Sequence, residues 1–235
     1  RICFTICPSN DVWARDHGPI SVYQESVLPV LQDFTFNGWG GKFPAELDDR
    51  QTVELHRAGC FDGIELRRIQ WVLEGGSIDG DGEGTILTTS ACLLTTTRNG
   101  GMSREQVEMQ LRDRLGARRV LWLERGALEG DDTDSHVDML ARFCDSKTIT
   151  YVRCDDPSDS HYDELRAMEA ELEQFRTLKG EPYRLVPLPW PNARHAADGH
   201  RLPLSYANFL IVNGGVIVPQ YDDSADAEAL AVLRD

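Results

Sequence analysis

The sequence runs to 235 residues, enough for one large domain with its own apolar core, and 41% of them are hydrophobic, which excludes a disordered chain. Its formal net charge of −15 sets 39 acidic residues against 24 scattered Lys and Arg, so a nucleic-acid-binding face is excluded as well. No apolar run approaches the roughly 18 to 20 residues that a membrane-spanning helix needs.

Taken in chain order, one pattern recurs about four times at a period of about 60 residues: a β-branched strand, a polar loop, an amphipathic helix and another strand. The first copy runs from a strand near Ile20 and a second at Val27–Phe36 through a helix at Glu46–Gly59 to a strand at Ile64–Leu73. A hairpin turn is expected across Ile78–Gly84, where a calcium loop fails because its acidic twelfth position is Ser90. The second copy opens at Thr85–Thr89. Its helix spans Ser103–Gly116, with Ser103 and Gln106 as a capping box, Val107, Leu111 and Leu115 as the apolar stripe and Gly116 as the stop. Arg119–Leu123 closes it.

The third copy places a strand at Thr148–Val152, a helix at Tyr162–Leu178 with Leu165, Met168, Leu172 and Phe175 on one face, and a strand at Tyr183–Leu188. The fourth has strand segments across Phe209–Val218, broken by a tight turn at Asn213-Gly214-Gly215, and enters a helix near Ala225 that has barely begun its stripe at Asp235. Each earlier helix is followed by a strand, so the natural sequence is expected to continue. Stacked α/β units of this kind bury their faces against one another as an array or ring.

Six cysteines lie far apart with no C-x-x-C pair, which suggests reduced, mostly buried, inert thiols and mildly favours the cytoplasm. Cys3 and Cys7 flank what reads as an apolar strand. The acidic field would draw in a cationic small molecule, although the same charge serves solubility equally well.

Polar clusters fall at strand ends and in the loops after them, where scaffolds display functional groups. Asn10 to Pro19 packs two carboxylates, a guanidinium, an imidazole and an indole into ten residues, either a site or an Asp–Arg-stabilised turn. Glu74 follows a strand and precedes two glycines that let backbone approach closely. In an extended segment, His136 and Asp138 would share a face, which suits an imidazole working beside a carboxylate. A metal pair is the competing reading, but no further histidine has helpful spacing.

In this order, five segments resemble the agmatine deiminase family, which also includes bacterial peptidylarginine-deiminase-like enzymes. They are Asn10–Pro19 (N-D-x-W-x-R-D-x-G-P), Phe36–Phe43 (F-N-G-W-G-G-K-F), Glu74–Ile78 (E-G-G-S-I), His136–Asp138 (H-V-D) and Asn213–Pro219 (N-G-x-x-x-x-P). The resemblance implies an α/β fold, a pentein-type propeller of ββαβ-like modules around a pseudo-fivefold axis with about four modules present. It further implies one catalytic domain over 1–235, incomplete at both ends.

By the same resemblance, Asp16 and Asp138 would hold a substrate guanidinium, Glu74 would hydrogen-bond it and help move protons, and His136 would be general acid and base. Trp13, Trp39 and Gly214 would line the substrate pocket. The implied partner is a small cationic guanidino compound, agmatine first, deiminated on the way to putrescine with no metal or organic cofactor. Family enzymes attack with a cysteine in a glycine-rich segment ending in His-Cys. None of the 235 residues forms such a segment, so the nucleophile is expected outside this chain, which alone would be inactive. Alternatives are a guanidine-binding protein without catalysis, or a deiminase of arginine or peptidyl arginine. Whether the protein forms a homo-oligomer is left open.

Overall fold

The computed structural model describes residues 4–23 and 28–234. They form two compact units, one from the described residues up to 77 together with 93–116, the other from 78–92 together with 117–234.

The first unit is built on a three-stranded sheet of β1 (Ile20–Tyr23), β2 (Pro29–Thr35) and β3 (Glu65–Val72) in that order. β1 and β2 pair as an antiparallel hairpin, whereas β2 and β3 are parallel, a relation that requires a crossover. Helix α1 (Asp48–Arg57) supplies it. Central in the sheet, β2 is buried from Val30 through Phe34 rather than alternating, because both of its faces are covered. That burial encloses Asp33 and raises its carboxyl pKa, an effect partly offset by a 3.0 Å ion pair with Arg68.

Helix α2 (Arg104–Leu115) has the expected capping box: Ser103 Oγ accepts from Gln106 N at 3.3 Å and Ser103 N donates to Gln106 Oε1 at 2.8 Å. It ends on Gly116 at φ 72°, and Val107 and Leu111 are fully buried. Gln32 Nε2 donates to the carbonyl of Arg114 at 2.8 Å, satisfying an acceptor that the helix end leaves open.

The second unit repeats the same sheet twice. β4 (Ile78–Gly80), β5 (Thr85–Thr89) and β6 (Arg119–Leu123) form one, β7 (Ala141–Asp145), β8 (Thr148–Val152) and β9 (Arg184–Leu188) the other. Each has an antiparallel pair followed by a parallel one. Helix α3 (Tyr162–Leu172) links β8 to β9, and its Leu165, Met168 and Leu172 are fully buried with Leu87, Val137, Leu140, Ile149 and Leu188. An antiparallel ribbon of β10 (Leu210–Val212) and β11 (Gly215–Ile217) precedes α4 (Asp226–Arg234). In the β4–β5 hairpin, Asp81 Oδ1 accepts from Glu83 N and Thr85 N, both at 2.8 Å, so the acidic loop is an Asp-centred turn, as expected.

Several boundaries differ from those read in the sequence. The start expected for β2, Val27, lies outside the described residues, as does Cys3. Residues 4 to 9 form no strand. The helix expected to reach Leu178 stops at Leu172, because Thr177 builds a local turn with its hydroxyl accepting from Lys179 N and Glu181 N. β4 and β7, the opening strands of their sheets, were absent from the strand–helix–strand reading. The thiols are not mostly buried: among the described cysteines, Cys92 and Cys154 are buried, Cys60 and Cys144 exposed, and Cys7 half-buried. Burial pushes the Cys154 thiol pKa up, consistent with an inert group. Among the described residues, no helix is long and apolar enough to cross a membrane.

His161 is buried beside a closed polar network. Asp159 accepts from Arg201 NH1 at 3.0 Å and NH2 at 2.7 Å, from Trp190 Nε1 at 3.1 Å and from the His161 backbone at 2.9 Å. His161 Nε2 accepts from Glu129 N at 2.8 Å, so Nδ1 carries the hydrogen and donates to Asp159 at 2.9 Å.

Candidate functional site

In the first unit, the Asn10–Pro19 cluster is anchored by its leading residues. Asp48, at the start of α1, accepts from Asn10 N at 2.7 Å and from Asp11 N at 3.2 Å, while Asn10 Oδ1 accepts from Leu47 N at 2.7 Å. Asn10 is thereby a structural tie. The chain then winds into one helical turn, Ala14–His17, which leaves Trp13 exposed and buries Asp16.

Trp39 reaches Asp16 from a tight coil. Gly38, Trp39, Gly40 and Gly41 all have positive φ, with Trp39 at 55°. Glycine is required at Gly38, where a Cβ would sit 2.1 Å from the carbonyl of Phe43. Asn37 Oδ1 accepts from Gly40 N at 2.9 Å, and the Trp39 ring is wedged edge-on between Phe36 and Phe43 at 5.0 and 5.7 Å. So held, its indole N–H donates to Asp16 Oδ2 at 3.0 Å. The aromatic and glycine residues of F-N-G-W-G-G-K-F thus serve to orient a carboxylate.

The other oxygen of Asp16 accepts from Gly76 N at 2.9 Å, which joins it to the segment after β3. Gly75 passes so close to the Ala14–His17 turn that a Cβ there would lie 2.1 Å from the carbonyl of Arg15. The first glycine of E-G-G-S-I is therefore required by close contact, while the second supplies a backbone donor. Glu74 itself is fully buried, and its backbone carbonyl accepts from Ser77 Oγ at 2.6 Å.

Its carboxylate meets a residue the sequence reading did not single out. Arg98 Nε donates to Glu74 Oε1 at 2.9 Å and Oε2 at 3.0 Å, with both side chains wholly out of solvent. The only sequence signal was an Arg among small and apolar residues in Cys92-Leu93-Leu94-Thr95-Thr96-Thr97-Arg98, where burial would demand an acidic partner.

In the second unit, His136 and Asp138 are buried, but the extended segment expected between them is a 3₁₀ turn, Val137–Met139. The preceding loop dictates this. Asp131 Oδ1 accepts from Thr133 N at 2.9 Å and Oδ2 from Ser135 N at 2.7 Å, and the chain passes through left-handed φ of 65° at both Asp134 and Ser135. Such conformations cost energy at non-glycine residues and persist only where neighbours enforce them. Thr89 Oγ1 donates to the Ser135 carbonyl at 2.7 Å, and His136 N donates to Thr133 Oγ1 at 3.0 Å, completing the clamp. Cys92, which the sequence offered no reason to choose, brings its thiol within 4.8 Å of the His136 ring. Gly214 sits at φ 85° in the exposed β10–β11 turn with nothing near its missing Cβ.

Chemically, the first unit offers two buried, rigidly held carboxylates, and the second a buried imidazole with a carboxylate two residues on. Paired acids suit a planar cation with forked N–H groups.

Known proteins carry the same plan. The chain is 37% identical over its whole length to the agmatine deiminase of Stutzerimonas stutzeri, of which it spans 69%. Among solved structures, a Porphyromonas gingivalis protein assigned as an arginine deiminase is 52% identical, with a TM-score of 0.93 over 98% of this chain and 68% of that one. A cysteine-to-serine form of the C. jejuni agmatine deiminase with substrate bound is 40% identical, with a TM-score of 0.90 over 98% of this chain and 66% of that one. A family model described as Porphyromonas-type peptidyl-arginine deiminase matches residues 2–235. With nearly every residue inside that match, and the motifs holding the acids described above, the chain belongs to the Porphyromonas-type peptidyl-arginine deiminase family.

Proposed function

We propose that this protein hydrolyses the guanidino group of agmatine to N-carbamoylputrescine and ammonia. The observation that carries the reading is the joining of Asp16 to the E-G-G segment by a buried hydrogen bond from Gly76 N, 60 positions on in the chain and two residues after the buried Glu74. Two buried carboxylates brought together by that tie suit a planar cation.

In this reading Asp16 and Asp138 grip the guanidinium, Glu74 accepts one of its N–H groups, and Trp13, Trp39 and Gly214 contribute to the substrate side. A cysteine thiolate, from the His-Cys segment these residues do not contain, adds to the guanidinium carbon. His136 protonates the departing nitrogen, so that ammonia leaves and an amidino-thioether remains. Water, deprotonated by His136, then adds to the same carbon, and the C–S bond breaks to release the ureido product and the thiol. No cofactor takes part. The modules would surround a pseudo-fivefold axis as one catalytic domain over 1–235, and six cysteines with no C-x-x-C pair fit a cytoplasmic setting.

The test is ammonia release by the full-length natural protein, compared across agmatine, arginine and a peptidyl arginine. Agmatine should be turned over fastest; binding of agmatine without turnover would make the protein a guanidine binder instead. The 52% likeness to a protein assigned as an arginine deiminase supports a second reading, in which free or peptidyl arginine is preferred.

A further inference from the structure

Arg98 is held as firmly as the acid it faces. It lies in a single helical turn, Thr96–Asn99, capped by Thr95 and stopped by Gly100 at φ 69°. The Asn99 amide clamps β3, its Oδ1 accepting from Val72 N and its Nδ2 donating to Val72 O, both at 2.9 Å, two residues before Glu74. Asn37 Nδ2 donates to the Thr97 carbonyl at 3.0 Å, and Gly40 comes so close that a Cβ would lie 2.5 Å from Thr97 Oγ1. One stretch of chain is thus tied both to the strand that carries Glu74 and to the coil that carries Trp39.

A carboxylate has about four lone-pair sites, and one N–H shared between its two oxygens occupies the side facing Arg98. The outer sites keep their capacity, in a plane set by the arginine. Resting on the deiminase reading, we infer that Arg98 is a positioning residue for the reaction: it fixes the Glu74 carboxylate so that its outer sites meet a substrate guanidinium in one orientation. A small misplacement of a gripped group costs rate out of proportion to its size.

A purely structural Arg98 would only neutralise a buried charge, which a lysine could also do. The discriminating variant is therefore Arg98→Lys in the full-length protein, because it keeps the cation but not the planar fork. It should lower kcat for agmatine by roughly tenfold or more, with a smaller change in KM and a melting temperature near that of the unaltered protein. A second comparison covers misfolding: Arg98→Met should cost no further activity once Glu74 is already Gln, and the Glu74→Gln/Arg98→Met pair leaves no unmatched buried charge. If Glu74→Gln turns over too slowly to measure, agmatine affinity by calorimetry supplies the same comparison.

Wild-type kcat in Arg98→Lys, or an equal factor lost to Arg98→Met in the Glu and Gln backgrounds, would overturn the assignment. Failure of the unaltered protein either to bind or to turn over agmatine would instead sink the deiminase reading on which it rests.

Discussion

Among the carboxylates in this molecule that face an arginine, Asp159 and Glu74 are finished differently. Asp159 in the second unit has its acceptor sites filled by both ends of the Arg201 fork, an indole N–H, a backbone N–H and an imidazole N–H. Glu74 in the first unit is more deeply buried, yet among the described residues its carboxylate accepts one N–H, that of Arg98 Nε, shared between its two oxygens. Burial and a cationic partner are common to both. What differs is saturation: a filled carboxylate locks a fold, whereas one with sites in reserve can receive a ligand.

The comparison breaks most visibly if Asp159 is removed. Asp159→Ala should cost about 3 kcal/mol of stability in urea unfolding, because it strands the largely enclosed Arg201 charge, while the folded fraction keeps its kcat. A comparable loss of activity would mean that the two sites are not distinct in kind.

Acid sharpens the contrast. Although burial works to raise it, the hydrogen bonds from Arg201, His161 and Trp190 hold the Asp159 carboxyl well below the usual range. A carboxyl depressed in the folded state stabilises it fully above the unfolded value of about 3.9 and loses that contribution as pH falls through the folded value. The melting-temperature gap between the unaltered protein and Asp159→Asn should therefore be widest near neutrality and narrow steadily below about pH 4. The smallest effect is expected remote from either carboxylate: Ser103→Ala, which removes half of the α2 capping box, should cost about 1 kcal/mol, read from the urea midpoint.

Features decided by near neighbours were legible in the sequence. The Ser103–Gln106 box, the Gly116 stop, the Asp81 turn and the buried stripe of α3 each rest on residues a few positions apart. β4 and β7 were not, since strands of three and five residues owe their existence to a partner rather than to their own composition. The H-V-D segment was misjudged in conformation because two non-glycine residues before it are forced left-handed by Asp131, which no propensity anticipates. The candidate acids were picked out by resemblance to a family more than by spacing. Arg98 escaped because its partner lies 24 positions earlier and nothing in three threonines points to it.

Gly75 and Gly80 read alike in the sequence, yet the space around them differs. Gly80 has open room beside it, whereas Gly75 rests against the carbonyl of Arg15. In a saturation library the two positions would part company. Most side chains would pass unnoticed at 80, while at 75 even alanine would wedge apart the seam between β3 and the turn bearing Asp16. A gene drifting under selection for this chemistry could rewrite position 80 freely and would have to preserve the glycine at 75.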